Sequence, residues 1–216
     1  MRTTLIVFSL GIFIGLSLFS QDPKQAGTQA VVEVVNGEAQ YKDGEKTLPI
    51  TKGMTLKEGQ TVLTEAGQLV ILRLANGGQL VVFENSEITL KSKDGDVAKV
   101  RLVQPKGFAW SRIPKLKQSE SFDVEMPTAS AGIRGTSFSS SVLDGNASQV
   151  CVCEGEVKVR NDQGEAVLKQ GELLKARPGQ AMGKPLGDLK FLKHPTKQTL
   201  SCINCHQGGY SRDGFY

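Results

Sequence analysis

Between Ala30 and Arg177 the chain is a succession of short apolar runs punctuated by turn dipeptides, and this rhythm restricts the fold more than any other feature of the sequence. "VVEVV" precedes Asn36-Gly37, "QLVILRL" precedes Asn76-Gly77-Gly78, and "QLVVF" and "EITLKS" lead to Asp94-Gly95. Alternation in "KVRLV", "FDVEM" and "VKVR" puts apolar side chains on one face, the period of a half-buried strand. Asn-Gly and Asp-Gly supply the positive φ angles of tight hairpins. No helical period is visible over 30–177. Runs recurring about every ten residues point to an all-β sandwich, barrel or stacked β-solenoid. A strand such as "LVILRL", apolar at both parities, is expected to be central or buried on both faces.

The first twenty residues follow another rule. Arg2 precedes a charge-free apolar run from Leu5 to Phe19. At about 1.5 Å per residue a helix of this length covers roughly 22 Å, short against a hydrocarbon core of about 30 Å. Residues 1–20 therefore read as a secretory signal peptide, with a retained membrane anchor as the alternative. Cleavage is expected near Ser20, residues 21–29 are a polar spacer, and the mature protein is expected in the periplasm or cell envelope. There, disulfides and covalent haem attachment are chemically permitted.

The stretch "FDVEMPTASAGIRGTSFSSSV…ASQVCVCEGEVKVRNDQGEAVLKQGE" resembles the FecR family of bacterial periplasmic domains. The resemblance rests on Phe122–Val124 ending at Met126-Pro127, on Arg134-Gly135-Thr136-Ser137-Phe138, on Glu154-Gly155-Glu156-Val157-Lys158-Val159, and on "LKQGE" at 168–172. With the lead-in of short strands it covers about residues 33–176. It implies an all-β, FecR-like domain over 30–177 and an unidentified envelope protein as partner. Family members of the best-known kind relay a signal to a cytoplasmic sigma factor through a segment ahead of their membrane helix. Only "MRTT" precedes the apolar run here, so a sigma factor is not expected to be this chain's partner. Read on their own chemistry, Gly135 and Gly155 suit turns closed to residues with a Cβ. Phe138 and Val142 share a parity that lets both enter one core. Arg134 suits a clamp between strands.

Past Arg177 the composition changes. Residues 178–187 are rich in Gly and Pro and read as a linker. Residues 188–216 form a tail too short for a core of its own. From Lys175 to Tyr216 there are seven Lys or Arg against two Asp, 7 − 2 = +5, more than the +4 of the whole chain. Such a tail suits solvent or an anionic surface. No nucleic-acid partner is expected.

That tail holds Cys202-Ile203-Asn204-Cys205-His206, the frame of covalent c-type haem. Its thiols suit thioether bonds to the two vinyl groups, and His206 an axial bond to the iron. His194, the only other histidine, is the candidate sixth ligand, with Met182 second. Tyr210, Phe215 and Tyr216 are candidates to cover the macrocycle, and Lys197 or Arg212 to neutralise a propionate. An alternative uses Cys151 and Cys153 of "QVCVCEGEV". Joined by Cys202 and Cys205, with or without His206, they make a tetrahedral zinc set or the partners of disulfides. Val150 and Val152 are expected on the core side of their strand, which places both sulfurs on the opposite face, where the tail can dock. No enzymatic activity is expected: the stretch 30–177 contains no histidine for a Ser-His-Asp set and no phosphate-binding loop.

Overall fold

A strand of seventeen residues, β9 (Asp96–Arg112), runs through both layers of the molecule and organises everything around it. The computed structural model describes residues 28–187, in which sixteen strands form one continuous hydrogen-bonded network. The signal or anchor segment, most of the spacer and the tail lie outside the described residues. Among the described residues no helix is long and apolar enough to cross a membrane.

The C-terminal part of β9 belongs to sheet I. There it pairs on one side with β7 (Gln79–Val82), followed outward by β6 (Leu69–Leu74), β1 (Ala30–Asn36) and β4 (Thr55–Leu56). On its other side come β12 (Ser137–Val142), β13 (Ser148–Glu154) and β16 (Leu173–Ala176). The N-terminal part of β9 belongs to sheet II. It is flanked there by β8 (Glu87–Lys93), β5 (Thr61–Leu63), β2 (Gln40–Asp43) and β3 (Lys46–Pro49). Its other flank carries β10 (Ser121–Met126), β11 (Ala129–Ile133), β14 (Glu156–Asn161) and β15 (Gly164–Lys169). Every described pairing is antiparallel except β9 with β10.

The two sheets enclose one core. Val70, Leu72, Leu80, Val82, Phe138, Val150 and Val152 from sheet I meet Val62, Ile88, Leu102, Phe122, Val124, Val157 and Leu168 from sheet II. Alternation along each strand decides which side chains enter. The all-β, FecR-like sandwich is thus the architecture that the turn rhythm and family resemblance anticipate.

Strands that leave one sheet for the other turn at corners. At the first, Ser86 N–H donates to Thr64 Oγ1 (3.0 Å) and to the Thr64 carbonyl (3.1 Å), while Phe108 N–H donates to Ser86 Oγ (2.9 Å). Gly107, φ +87°, sits where β9 passes between sheets. At the second corner, β11 hands over to β12 at Gly135 and β13 to β14 at Gly155. A Cβ on Gly155 would stand 3.0 Å from the Gly135 carbonyl oxygen, and Thr136 Oγ1 donates to the Glu156 carbonyl at 3.0 Å. The two glycine motifs singled out in the sequence are therefore two halves of one corner. Arg134 does not clamp it: the side chain is exposed and makes no hydrogen bond or ion pair among the described residues, because it lies in the bend before Gly135.

Candidate functional site

The outer faces of the two sheets differ sharply, and the cysteines of β13 lie on the less ordinary one. Outward positions of sheet II carry Arg101, Asp123, Glu125, Lys158, Arg160 and Glu165, a ladder of separate ion pairs whose members are half-exposed apart from the more covered Asp123. Lys158 Nζ meets Glu165 Oε2 at 2.7 Å, and Asp123 lies between Lys93 (3.6 Å) and Arg160 (3.8 Å). Pairs of this kind contribute about 0–1 kcal/mol each, so the ladder marks a solvated face rather than a source of stability.

Sheet I is apolar on its outer face as well. Strand register aligns Val34, Ile71, Val81, Trp110, Ser139, Cys151 and Leu173 as successive cross-strand neighbours. All of them point away from the core between the sheets. Yet Val81 and Cys151 are 0% exposed and Trp110 only 8%. Ile71, Val81, Trp110 and Cys153 form one apolar cluster, bordered by Leu69 and Phe83, and Cys151 with Leu173 forms the next. The rings of Phe83 and Phe108 stand 4.7 Å apart beside it. The row runs on beyond the last strand, because Leu186 forms a β-bridge with Leu173, its N–H donating to the Leu173 carbonyl at 2.7 Å. The Gly/Pro segment 178–187 thus turns back along the edge of sheet I at Leu186.

Cys151 and Cys153 take the orientation that alternation anticipates: Val150 and Val152 enter the core, and both sulfurs lie on the outer face. Cys153 is disulfide-bonded. Cys202, Cys205, His206 and His194 lie outside the described residues, as do Tyr210, Phe215, Tyr216, Lys197 and Arg212. Met182 is partly buried against the main core, so its thioether is engaged in packing. Among the described residues no three His, Cys, Asp or Glu are grouped to hold a metal ion. Two carboxyls lie below the usual carboxylate range. Glu58 accepts hydrogen bonds from the Ser92 hydroxyl and backbone N–H, and Asp96 accepts from Lys99 and from the Ala98 N–H. Glu58 stands in the exposed turn before β5 and Asp96 opens β9 after the Asp94-Gly95 turn, both away from the cysteine row.

Sequence reasoning singled out the two cysteines and missed the row they belong to. The signal was present in "LVILRL", apolar at both parities, but only strand register brings Ile71, Val81 and Trp110 beside β13.

Residues 60–158 match the FecR protein family model. The matched segment runs from just before β5 into β14, and so contains both corners and both Cys151 and Cys153; the resemblance drawn over 33–176 is wider than this match. No curated protein matches the chain. Two crystal structures, each of a candidate anti-sigma factor from Parabacteroides distasonis, share its fold. The 2.50 Å structure is 15% identical with a TM-score of 0.52, over 60% of this chain and 61% of that one. The 1.65 Å structure is 14% identical with a TM-score of 0.54, over 68% and 74%. This chain therefore spans about three-fifths of the length of the first of them. At such identities the likeness is one of fold. The expectation that a sigma factor is not the partner draws no support from these neighbours.

Proposed function

We propose that the protein is an exported, non-enzymatic binding or sensing module of the cell envelope. The observation that carries this reading is the contrast between two outer faces of a FecR-like sandwich. One is a solvated face of charge suited to a polar protein partner, and the other is an apolar row that runs past Cys151 and Cys153 to Leu173 and Leu186. Broad sheet faces are what the described residues present, and binding is a function that faces serve. In this reading Cys202 and Cys205 would hold a covalent haem c, and His206 and His194 would bind its iron. Haem so bound supplies an iron whose potential follows its axial ligands and exposure. The basic tail would favour an anionic surface close by.

A second reading of the same module is favoured by the disulfide at Cys153. In it the protein is an interaction scaffold whose Cys151, Cys153, Cys202 and Cys205 hold the tail by disulfides or zinc.

The test is expression with the leader in a host that matures c-type cytochromes. Export predicts recovery from the periplasm with a new N-terminus near Gln21, and haem attachment predicts a haem-stained band on a denaturing gel. A colourless, unstained band removes the haem and leaves the scaffold, whose zinc content is then measured on protein purified without chelators. His194→Ala is expected to move a low-spin spectrum towards high-spin. Recovery in the cytosol with the leader intact overturns the export reading.

A further inference from the structure

The geometry points to the outer face of sheet I as the docking site of this chain's own tail, residues 188–216, held there by a disulfide between Cys153 and Cys202 or Cys205, so that docking and haem attachment exclude each other. The inference rests on the exported module proposed above and specifies how its tail is controlled.

Three observations converge on the tail as the occupant. First, a sheet face carrying Ile71, Val81, Trp110, Cys151 and Leu173 in one row is too apolar to be left in water, whereas sheet II shows what a solvated face of this protein looks like. Second, the chain itself arrives at that face: Leu186 is bridged to Leu173, and Gly187 is the next residue. From Gly187 to Cys202 the backbone reaches up to roughly 50 Å, while the row from Leu186 to Val34 crosses seven strand spacings, roughly 34 Å. Reach is no obstacle. Third, Cys153 is disulfide-bonded, and Cys151 is geometrically unsuited as its partner. Two residues apart on a strand, their Cβ atoms are about 6.6–6.8 Å apart and parallel, against the roughly 3.8 Å that a disulfide requires. The remaining cysteines of the chain are Cys202 and Cys205.

The chemistry balances. The Cys153 thiol and one tail thiol give up two protons and two electrons to a protein or small-molecule disulfide of the oxidising compartment, which leaves as two thiols. The reverse exchange, with a dithiol reductant, frees the tail. A sulfur shared with Cys153 is unavailable for a thioether, so the docked tail cannot carry a haem bonded through both cysteines.

The experiment uses the exported full-length chain purified without reductant. Protease digestion under non-reducing conditions is expected to yield one cross-linked species joining the Cys153 peptide to the Cys202/Cys205 peptide of the same chain. Trp110 is the chain's only tryptophan, and its emission is expected to shift to longer wavelength and become severalfold more quenchable by acrylamide on reduction or in Cys153→Ser. In the cytochrome-maturing host, Cys153→Ser is expected to raise haem per chain. A Cys153 found as a thiol, joined to Cys151, or joined to a second chain overturns the proposal. So does Trp110 emission that ignores reduction, or a single molecule carrying both full haem and the Cys153 cross-link. If the chain is retained in the cytosol, the export reading fails first. Docking is then read separately by oxidising the purified chain with glutathione disulfide, where failure to form the cross-link overturns it.

Discussion

A Cβ placed on Gly107 would stand 2.4 Å from the Cα of Ser86 and 2.2 Å from its Oγ. The two backbones touch because β9 must pass from one sheet to the other beside the turn that Ser86 closes. Gly107→Ala combines this clash with a φ of +87°. The expected loss is at least about 3 kcal/mol, larger than a positive φ alone accounts for. Urea unfolding of the variant, or its failure to accumulate as folded protein, checks it; a loss below about 1 kcal/mol would contradict the corner described here.

Gln104 is a buried polar side chain, 0% exposed, with all its described contacts satisfied inside the core. Its Nε2 donates to the carbonyls of Gly107 (3.0 Å) and Ser140 (3.2 Å), and its Oε1 accepts from Ser140 Oγ at 2.6 Å. Ser140→Ala strands that oxygen and is expected to cost about 1–3 kcal/mol. Gln104→Leu removes the acceptor of the Ser140 hydroxyl and a donor to two carbonyls and is expected to cost more, as read from the shift in denaturation midpoint.

Phe138 fills the core near the start of β12, just past the Gly135 turn, and Arg101 with Glu125 lies on the outside of sheet II at 3.6 Å. Phe138→Ala is expected to destabilise by about 3–5 kcal/mol. Arg101→Ala is expected to change stability by less than about 1 kcal/mol. Paired thermal or urea unfolding curves separate burial from surface charge as the source of stability.

Glu58 introduces a pH dependence whose sign is fixed. Hydrogen bonds from the Ser92 hydroxyl and backbone N–H hold its carboxyl below the ordinary value of 4.5. A depressed folded pKa contributes stability that is fully present above the unfolded pKa and is lost as pH falls through the folded one. Glu58→Gln should therefore be the less stable protein at neutral pH, and the two stability curves should converge in acid. A difference that widens below pH 4.5 would contradict this.

How legible these features are in the sequence depends on how far apart the residues that make them stand. Val150 and Val152 against Cys151 and Cys153 is a matter of parity within one strand, and alternation predicts it. The hairpin at Asp94-Gly95 is equally local, both residues having positive φ. The pairing of the Gly135 and Gly155 turns is not local. Each glycine announces a turn, but only the crossing of four strands between sheets makes the two one corner. The same limit hides the row on sheet I, where Ile71, Trp110 and Cys151 become neighbours through register alone. It also hides the parallel pairing of β9 with β10, and the return of Leu186 to Leu173 from a stretch whose Gly and Pro content reads as an exit. For the tail motif, spacing states the chemistry of the thiols, and the partner chosen by Cys153 is a question of tertiary placement.

Because β9 is common to both layers, the sandwich has no seam along which its halves can shear. A tug on the edge that carries Leu186 crosses the hydrogen bonds of β16, β13 and β12 before it reaches β9, whose backbone carries it on into sheet II. Strain set at one outer face is therefore shared with the other through the backbone common to both sheets.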